Sequence, residues 1–426
     1  MNDKKADSGL SRRAFLRTAS LTGLAAGVAP AAALAAAAKN QDKALKQSPA
    51  AQEAAGIPRR MLGKTGVSVP VLGLGGMFDT INNQLLLKQA HTWGVTYWDT
   101  AEGYGNGLSE EGFGRYFGRN PDARKDIFLV SKFSHKAGSG DDFSGKAATG
   151  DNTAKLDAAL KRLQTSYLDM FFIHAIAGVD EMAPYKDWAA EMKKAGKIKF
   201  FGFSTHTNME DCLLGAAKLP WIDAVMVTYN YRLMQTPKMK QAMAGCVKAG
   251  IGLVAMKTQG GGPVKTDSEE ELKLAGRFLE RGFTDKQAKL KAVWNDPNIA
   301  SICSQMPNLT ILSANVACAR DKTSLAREDV DVFTRLAENT KGDYCAGCGS
   351  ICQGAVGGLV PVNDVMRCLM YYRDYAEPDL AREVFAALPE ETRSRMLDVD
   401  YSQAEKACPQ GLAIAELMRE ARTLLA

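Results

Sequence analysis

Eight short runs rich in Val, Ile, Phe and Tyr alternate with longer stretches of helical period, and this alternation constrains the fold more than any other feature of the chain. The apolar runs begin at Val69, Val95, Ile127, Leu168, Phe200, Ala224, Gly252 and Ile299, with helical stretches such as Ala154 to Leu163, Ala183 to Lys194 and Gln287 to Asn295 between them. Strict alternation predicts a parallel sheet with helices outside it. Eight units in about 250 residues is the size of a closed barrel, so the expected fold class is α/β, a (β/α)8 TIM barrel over residues 59–337. The competing open, doubly wound sheet would usually place Gly-x-Gly-x-x-Gly after an early strand, and Gly73-Leu-Gly75-Gly76-Met-Phe-Asp lacks the third glycine. From residue 338 the pattern changes to Cys/Gly-rich sequence followed by helical segments, which predicts a small Cys-containing α-helical C-terminal domain over 338–426.

At 426 residues and 46% hydrophobic, the chain can bury a full core, which excludes the disordered and fibrous classes. A net charge of only +5, with no Lys/Arg run interleaved with aromatics, argues against a nucleic-acid partner. The N-terminus reads Ser11-Arg12-Arg13-Ala14-Phe15-Leu16-Arg17, followed by an apolar stretch from Leu21 to Ala38. This resembles a twin-arginine signal over 1–38, with a polar linker over 39–58. The implied partner is the twin-arginine export machinery, and the implied address is the periplasm or another extracytoplasmic space, reached after the protein has folded around its cofactor.

Functional groups in such a barrel sit where strands end. Asp99 closes Tyr97-Trp98-Asp99, Lys132 closes Leu129-Val130-Ser131-Lys132, His174 closes Phe171-Phe172-Ile173-His174, and Tyr104 lies in the loop after the first of these. Buried charges cost several kcal/mol unless paired, so these residues are expected to form one network. The network suits carbonyl reduction. A phenol with an ordinary pKa near ~10 is a poor proton donor at neutral pH unless a neighbouring ammonium favours the phenolate.

Five motifs carry a family resemblance: Arg60-Met-Leu-Gly-Lys-Thr-Gly-Val-Ser-Val-Pro-Val-Leu-Gly-Leu-Gly-Gly, Trp98-Asp-Thr-Ala-Glu-Gly-Tyr-Gly, Val130-Ser-Lys, Tyr167-Leu-Asp-Met-Phe-Phe-Ile-His and Lys194-Ala-Gly-Lys-Ile-Lys-Phe-Phe-Gly-Phe-Ser. In their order and spacing they resemble the aldo/keto reductase family. The resemblance implies NAD(P)H-dependent interconversion of a small-molecule carbonyl and an alcohol by hydride transfer, with Tyr104 as acid/base and Asp99, Lys132 and His174 completing a tetrad. It further implies that NADP or NAD is held by Ser204, Tyr229, Asn230, Lys257, Gly260, Gly261 and Gly262, the glycines letting backbone amides approach the pyrophosphate. The pattern thins here. Ser204 is followed by Thr205 and His206 rather than Asn, Met226 stands where a Gln is expected, and Gln305-Met-Pro-Asn lacks the Lys/Arg that would recognise a 2′-phosphate.

Nine cysteines are present. Cys212, Cys246, Cys303 and Cys318 lie in apolar segments and are expected to be buried small hydrophobes. Cys345-Ala-Gly-Cys348-Gly-Ser-Ile-Cys352, with Cys408-Pro409 much later, resembles the ferredoxin-like tail of some members of the family, although that pattern would put a cysteine at Ile351. One 4Fe–4S cluster held by Cys345, Cys348, Cys352 and Cys408, a structural zinc site, disulfides and a degenerate remnant all remain open at this point. A cluster would answer one difficulty of export. Free nicotinamide cofactor is scarce outside the cytoplasm, so either the nucleotide travels tightly bound or a redox partner supplies electrons. The alternative to an enzyme is a non-catalytic or electron-carrying exported module. A metal hydrolase finds only His91, His135, His174 and His206 as imidazole ligands. Substrate specificity is expected in the loops His135 to Asp151 and Lys257 to Leu272.

Overall fold

The computed structural model describes residues 56–134, 151–261, 276 and 278–426. The signal segment, nearly all of the linker, Gly262 and most of both specificity loops lie outside the described residues. Residues 55–426 form one compact unit. No described helix is long and apolar enough to cross a membrane.

Eight parallel strands close into a barrel in the order β10-β3-β4-β5-β6-β7-β8-β9. They are β3 (Leu72–Gly75), β4 (Tyr97–Asp99), β5 (Phe128–Ser134), β6 (Leu168–His174), β7 (Ile198–Thr205), β8 (Ala224–Thr228), β9 (Gly252–Met256) and β10 (Ile299–Gln305). Helices covering the outside include α1 (Gln84–Thr92), α2 (Leu108–Arg119), α3 (Ala123–Asp126), α4 (Asn152–Arg162), α5 (Lys186–Lys194), α6 (Met209–Ala216), α7 (Pro237–Lys248), α8 (Asp285–Trp294) and α9 (Leu309–Arg320). Strands covered on both faces can be apolar throughout, which is why they read as continuous hydrophobic runs.

The first apolar run divides. Ser68–Pro70 forms β2, antiparallel to β1 (Arg59–Met61), and only Leu72 onward joins the barrel. Pro70 has no N–H to continue a ladder, so the strand breaks there. The β1–β2 hairpin then closes the N-terminal end of the barrel. Leu62 and Val69 pack into the interior with Tyr97, Phe128, Met170 and Phe172, and Lys64 N donates to Gly250 O just before β9.

Side-chain parity follows from the period of two along a strand. Tyr97, Phe128, Val130, Met170, Phe172, Ala224, Met226 and Val254 fill the interior, while Trp98, Leu129, Phe171, Phe203, Val225 and Val227 face the helices.

After α10 (Arg327–Asn339) the chain builds α11 (Gly349–Ala355), α12 (Val362–Arg373), α13 (Pro378–Ala386), α14 (Glu390–Arg395), α15 (Ser402–Ala407) and α16 (Ile414–Leu425). Their apolar faces share a cluster around Cys368, Tyr371, Phe385, Ala404 and Ala421, which Ala101 and Tyr104 of the barrel join. This helical module meets the loops after β7, β8, β9 and β10, the end of the barrel where parity delivers the polar strand termini. Asn208 N donates to Gly347 O at 2.8 Å, and Asn363 Nδ2 to Thr207 Oγ1 at 2.7 Å.

Candidate active site

Asp99, Lys132 and His174 continue the inward parity of Tyr97, Val130 and Phe172, so each strand presents its last inward side chain to the mouth. The loop after β4 is stitched to β5 by Thr100 N→Val130 O and Glu102 N→Lys132 O, each 2.9 Å, and turns on Tyr104 N→Ala101 O. That turn carries Tyr104 over Lys132. Lys132 Nζ donates to Asp99 Oδ1 at 2.6 Å and to Thr100 O at 2.8 Å, and stands 3.3 Å from Tyr104 Oη. His174 meets Tyr104 edge-on, with ring centroids 5.8 Å apart. The structure therefore brings all four predicted residues together, each of them buried.

A second buried pair supports the first from the helix side. Glu110 in α2 accepts from Ser131 Oγ at 2.5 Å and from Arg162 Nε at 2.6 Å. Burial outweighs both donors and raises the Glu110 carboxyl above its ordinary range. Sequence reading missed one inward group, Cys303 on β10, which was grouped with the buried apolar cysteines. A register shift between Ile299 and Ser301 breaks the alternation along β10 and turns Cys303 inward, beside Gly75 and near Asp99, so parity counted from the start of the run could not have found it. Burial, followed by the nearby Asp99 charge, holds its thiol well above the usual value. Cys212, Cys246 and Cys318 are buried as expected, and burial pushes each thiol up to about 12.

The residues expected to hold a nicotinamide nucleotide are placed differently. Tyr229 has the parity of Val225 and Val227. Its ring lies in the shell between strands and helices, and its hydroxyl donates to Asp296 Oδ2 at 2.7 Å, away from the mouth. Ser204 faces inward but its oxygen accepts from Ala175 N at 3.0 Å. His206 is also at the mouth, with Nδ1 3.1 Å from Thr228 Oγ1. Asn230 Nδ2 donates to Lys257 O and to Tyr344 Oη, at 3.1 and 3.0 Å, while its Oδ1 accepts from Arg232 N. Lys257 Nζ donates to Tyr371 Oη at 2.8 Å. Gly260 and Gly261 adopt left-handed φ of +73° and +62°, but protein groups fill the space beside them. A side chain at Gly260 would strike the Tyr231 ring, and one at Gly261 would meet Tyr344 and the Asp374 carboxylate at 3.0 Å. Among the described residues, Asn230 and Lys257 are thus engaged with one another and with Tyr344 and Tyr371.

Cys345, Cys348, Cys352 and Cys408 line one cavity with Ile351, Val362, Met366, Leu412 and Ile414, in and beside α11, α12 and α15. All are free thiols, so the disulfide expectation does not hold for them. Burial pushes Cys345 up to about 12 and Cys348 up to about 11. Among the described residues no three of His, Cys, Asp or Glu are grouped to hold a metal ion. The four cysteines are thus brought to one place without forming the closed ligand set expected of a zinc or cluster site.

A family model described as aldo/keto reductase family matches residues 72–342. Aldo-keto reductase yakc (NADP(+)) of Schizosaccharomyces pombe is 31% identical over 183 residues, 41% of this chain and 52% of that protein. L-glyceraldehyde 3-phosphate reductase of Escherichia coli K12 is 32% identical over 163 residues, 35% of this chain and 45% of that protein. The chain spans about half the length of these curated relatives. Among solved structures, the holo form of aldo-keto reductase AKR11C1 from Bacillus halodurans aligns with a TM-score of 0.54 at 20% identity, covering 66% of this chain and 96% of that one, a likeness of fold.

Proposed function

Given that this chain belongs to the aldo/keto reductase family, we propose that it interconverts a small-molecule carbonyl and the corresponding alcohol, with Tyr104 moving the proton. The observation that carries this reading is the Lys132 ammonium, locked on Asp99 and 3.3 Å from the Tyr104 hydroxyl. In reduction the carbonyl carbon gains a hydride and the oxygen gains the Tyr104 proton. As the proton leaves, the ammonium stabilises the charge left on the phenol oxygen. His174, edge-on to Tyr104, is placed to orient the carbonyl oxygen and polarise it. A nicotinamide dinucleotide is the hydride source in this reading, and the name of the S. pombe relative favours NADP. Asn230 and Lys257, two of the groups expected to hold it, are engaged within the protein.

The test is reduction of a panel of aldehydes and ketones, followed by oxidation of NADPH or NADH. Tyr104→Phe should lower turnover by about 10²–10⁴-fold with the fold intact. Full activity in that variant would sink the assignment of Tyr104, whereas an unaltered protein that turns over none of the panel yet keeps redox or binding behaviour insensitive to Tyr104→Phe would favour the electron-carrying or non-catalytic module.

Two further elements belong to the proposal. A single 4Fe–4S cluster fed by a redox partner is proposed at Cys345, Cys348, Cys352 and Cys408 from their spacing and their shared cavity. Four cysteines are the ligand number of one such cluster, although they do not form a ligand set as placed. Protein purified without air should then be brown and bleach on reduction, whereas colourless protein would remove the cluster. Ser11-Arg12-Arg13-Ala14-Phe15-Leu16 supports twin-arginine export to the periplasm or a comparable space. Replacing both arginines by lysine should leave the folded protein in the cytoplasm, and continued export would refute the route.

A further inference from the structure

Two groups that a nucleotide would need at the mouth are held by two phenols that follow α10: Tyr344, which packs with the barrel's outer cluster, and Tyr371 of the helical module. Tyr344 accepts one hydrogen of the Asn230 amide, and the Lys257 carbonyl accepts from the same nitrogen. Tyr371 accepts from the Lys257 ammonium, which also lies 4.4 Å from the centre of the Tyr371 ring and 5.5 Å from that of Tyr375. Both phenols are buried, Tyr371 completely. Arg232 ties the same region shut: its Nε donates to Gly260 O at 2.7 Å, its Nη1 donates to Thr340 Oγ1 at 2.7 Å, and its guanidinium lies over the Tyr344 ring. At the end of β10, Gln305 Nε2 donates to Glu377 Oε1 at 3.2 Å.

Charge points the same way. Gly260 and Gly261 are two successive left-handed glycines, a turn that a pyrophosphate could approach closely, with the Gly260 N–H already donated to Lys257 O at 3.1 Å. Yet the Asp374 carboxylate faces Gly261, and Glu377 sits at the next strand end. A pyrophosphate laid there would meet carboxylates as well as amides.

We propose that the chain after α10, with the helical module, is a latch that excludes the nucleotide: Tyr344 and Tyr371 occupy the polar groups of Asn230 and Lys257, and a nicotinamide dinucleotide binds only when the two phenols release them. This rests on the nicotinamide reading above. The module is thereby a gate on the active site, and α12, which carries Tyr371, also lines the cysteine cavity through Val362 and Met366.

The experiment compares the full-length protein with Tyr344→Phe, Tyr371→Phe and the double variant. NADPH and NADH affinities are measured by titration, and hydrogen exchange over Val362–Arg373 is followed with and without nucleotide. Each lost phenol hydroxyl removes one hydrogen bond of the latched state, so affinity should rise up to about tenfold per substitution. Exchange across Val362–Arg373 in the unaltered protein should speed up when nucleotide is added. Tyr401→Phe is the control. Its hydroxyl donates to Met396 O inside the module, away from the mouth, and affinity should stay within about twofold. Equal tightening by Tyr401→Phe would mean that general loosening matters, overturning the assignment to the two phenols. Equal affinity in all variants with unchanged exchange would show module and nucleotide sharing the mouth, which overturns the latch and leaves the reductase reading standing. If the double variant exchanges rapidly over Val362–Arg373 and still binds neither nucleotide, the nicotinamide reading fails, and the exclusion falls with it.

Discussion

The barrel mouth and the cysteine cavity both gather titratable groups, but they are organised differently. At the mouth, Lys132, Asp99, Tyr104 and Thr100 are interlocked within 2.6 to 3.3 Å. Around the cavity, four cysteines share a space without forming a ligand group. The difference lies in what burial demands of each group. An ammonium and a carboxylate cannot sit in a low-dielectric interior without each other, so their contact is enforced by the fold itself. A thiol answers burial by keeping its proton, as Cys345 does with its pKa at about 12, and then behaves as a small apolar side chain that needs no partner. Buried charge therefore reports its own geometry, and buried sulfur does not.

The largest test of that contrast is the removal of one charge. Lys132→Met should lower the unfolding free energy by about 3–5 kcal/mol in denaturant titrations, because buried Asp99 loses the ammonium it is paired with, and pairing it with Asp99→Leu should recover much of the loss. A cost below about 1 kcal/mol would mean that the pair is not holding the mouth together. The thiols offer the next test. In metal-free protein near pH 8, alkylation of Cys345 should run about 10³-fold slower than that of a thiol at the ordinary value of 9.0, and alkylation of Cys348 about 10²-fold slower, since each unit lowers the thiolate fraction tenfold. Both should speed up on unfolding. Rapid labelling of the folded protein would show thiolates already stabilised in the cavity and would erase the contrast.

The smallest effect concerns Glu110, a charge partner placed just outside the strands. Its carboxyl is raised by burial, so its contribution to stability is complete below the unfolded value near 4.5 and is lost as pH rises through the folded value. Glu110→Gln should flatten that decline when stability is measured from acid to neutral pH. An unchanged slope would assign the decline to other groups.

Much of the barrel was legible because its signals are local. The run Leu168 to His174 coincides with β6, and Gly252 to Lys257 overruns β9 by one residue. The tetrad was legible for the same reason, as polar residues closing apolar runs. Tyr229 could have been corrected from sequence alone. Counting by twos from Met226 gives Thr228 and Asn230 the inward positions and turns Tyr229 outward, as observed. Pro70 likewise announced the break between β2 and β3. Nothing comparable marked Tyr344 and Tyr371. Tyr371 lies in Met366-Arg-Cys-Leu-Met-Tyr-Tyr, whose helical spacing reads as core, and core it is, apart from one hydroxyl turned to Lys257.

By itself the sequence determined the strand and helix alternation, the closure into eight units and the inward parity that makes Asp99, Lys132 and His174 neighbours. These depend on the period of a strand and on the cost of unpaired charge, both of which act over a few residues. Only the tertiary structure decided that Asn230 meets Tyr344 and that Lys257 meets Tyr371, partners separated by 114 residues in each case. Such contacts arise where a separately patterned helical module docks on the barrel. Docking is set by the shape and polarity of two whole surfaces, and no periodicity within either segment encodes it.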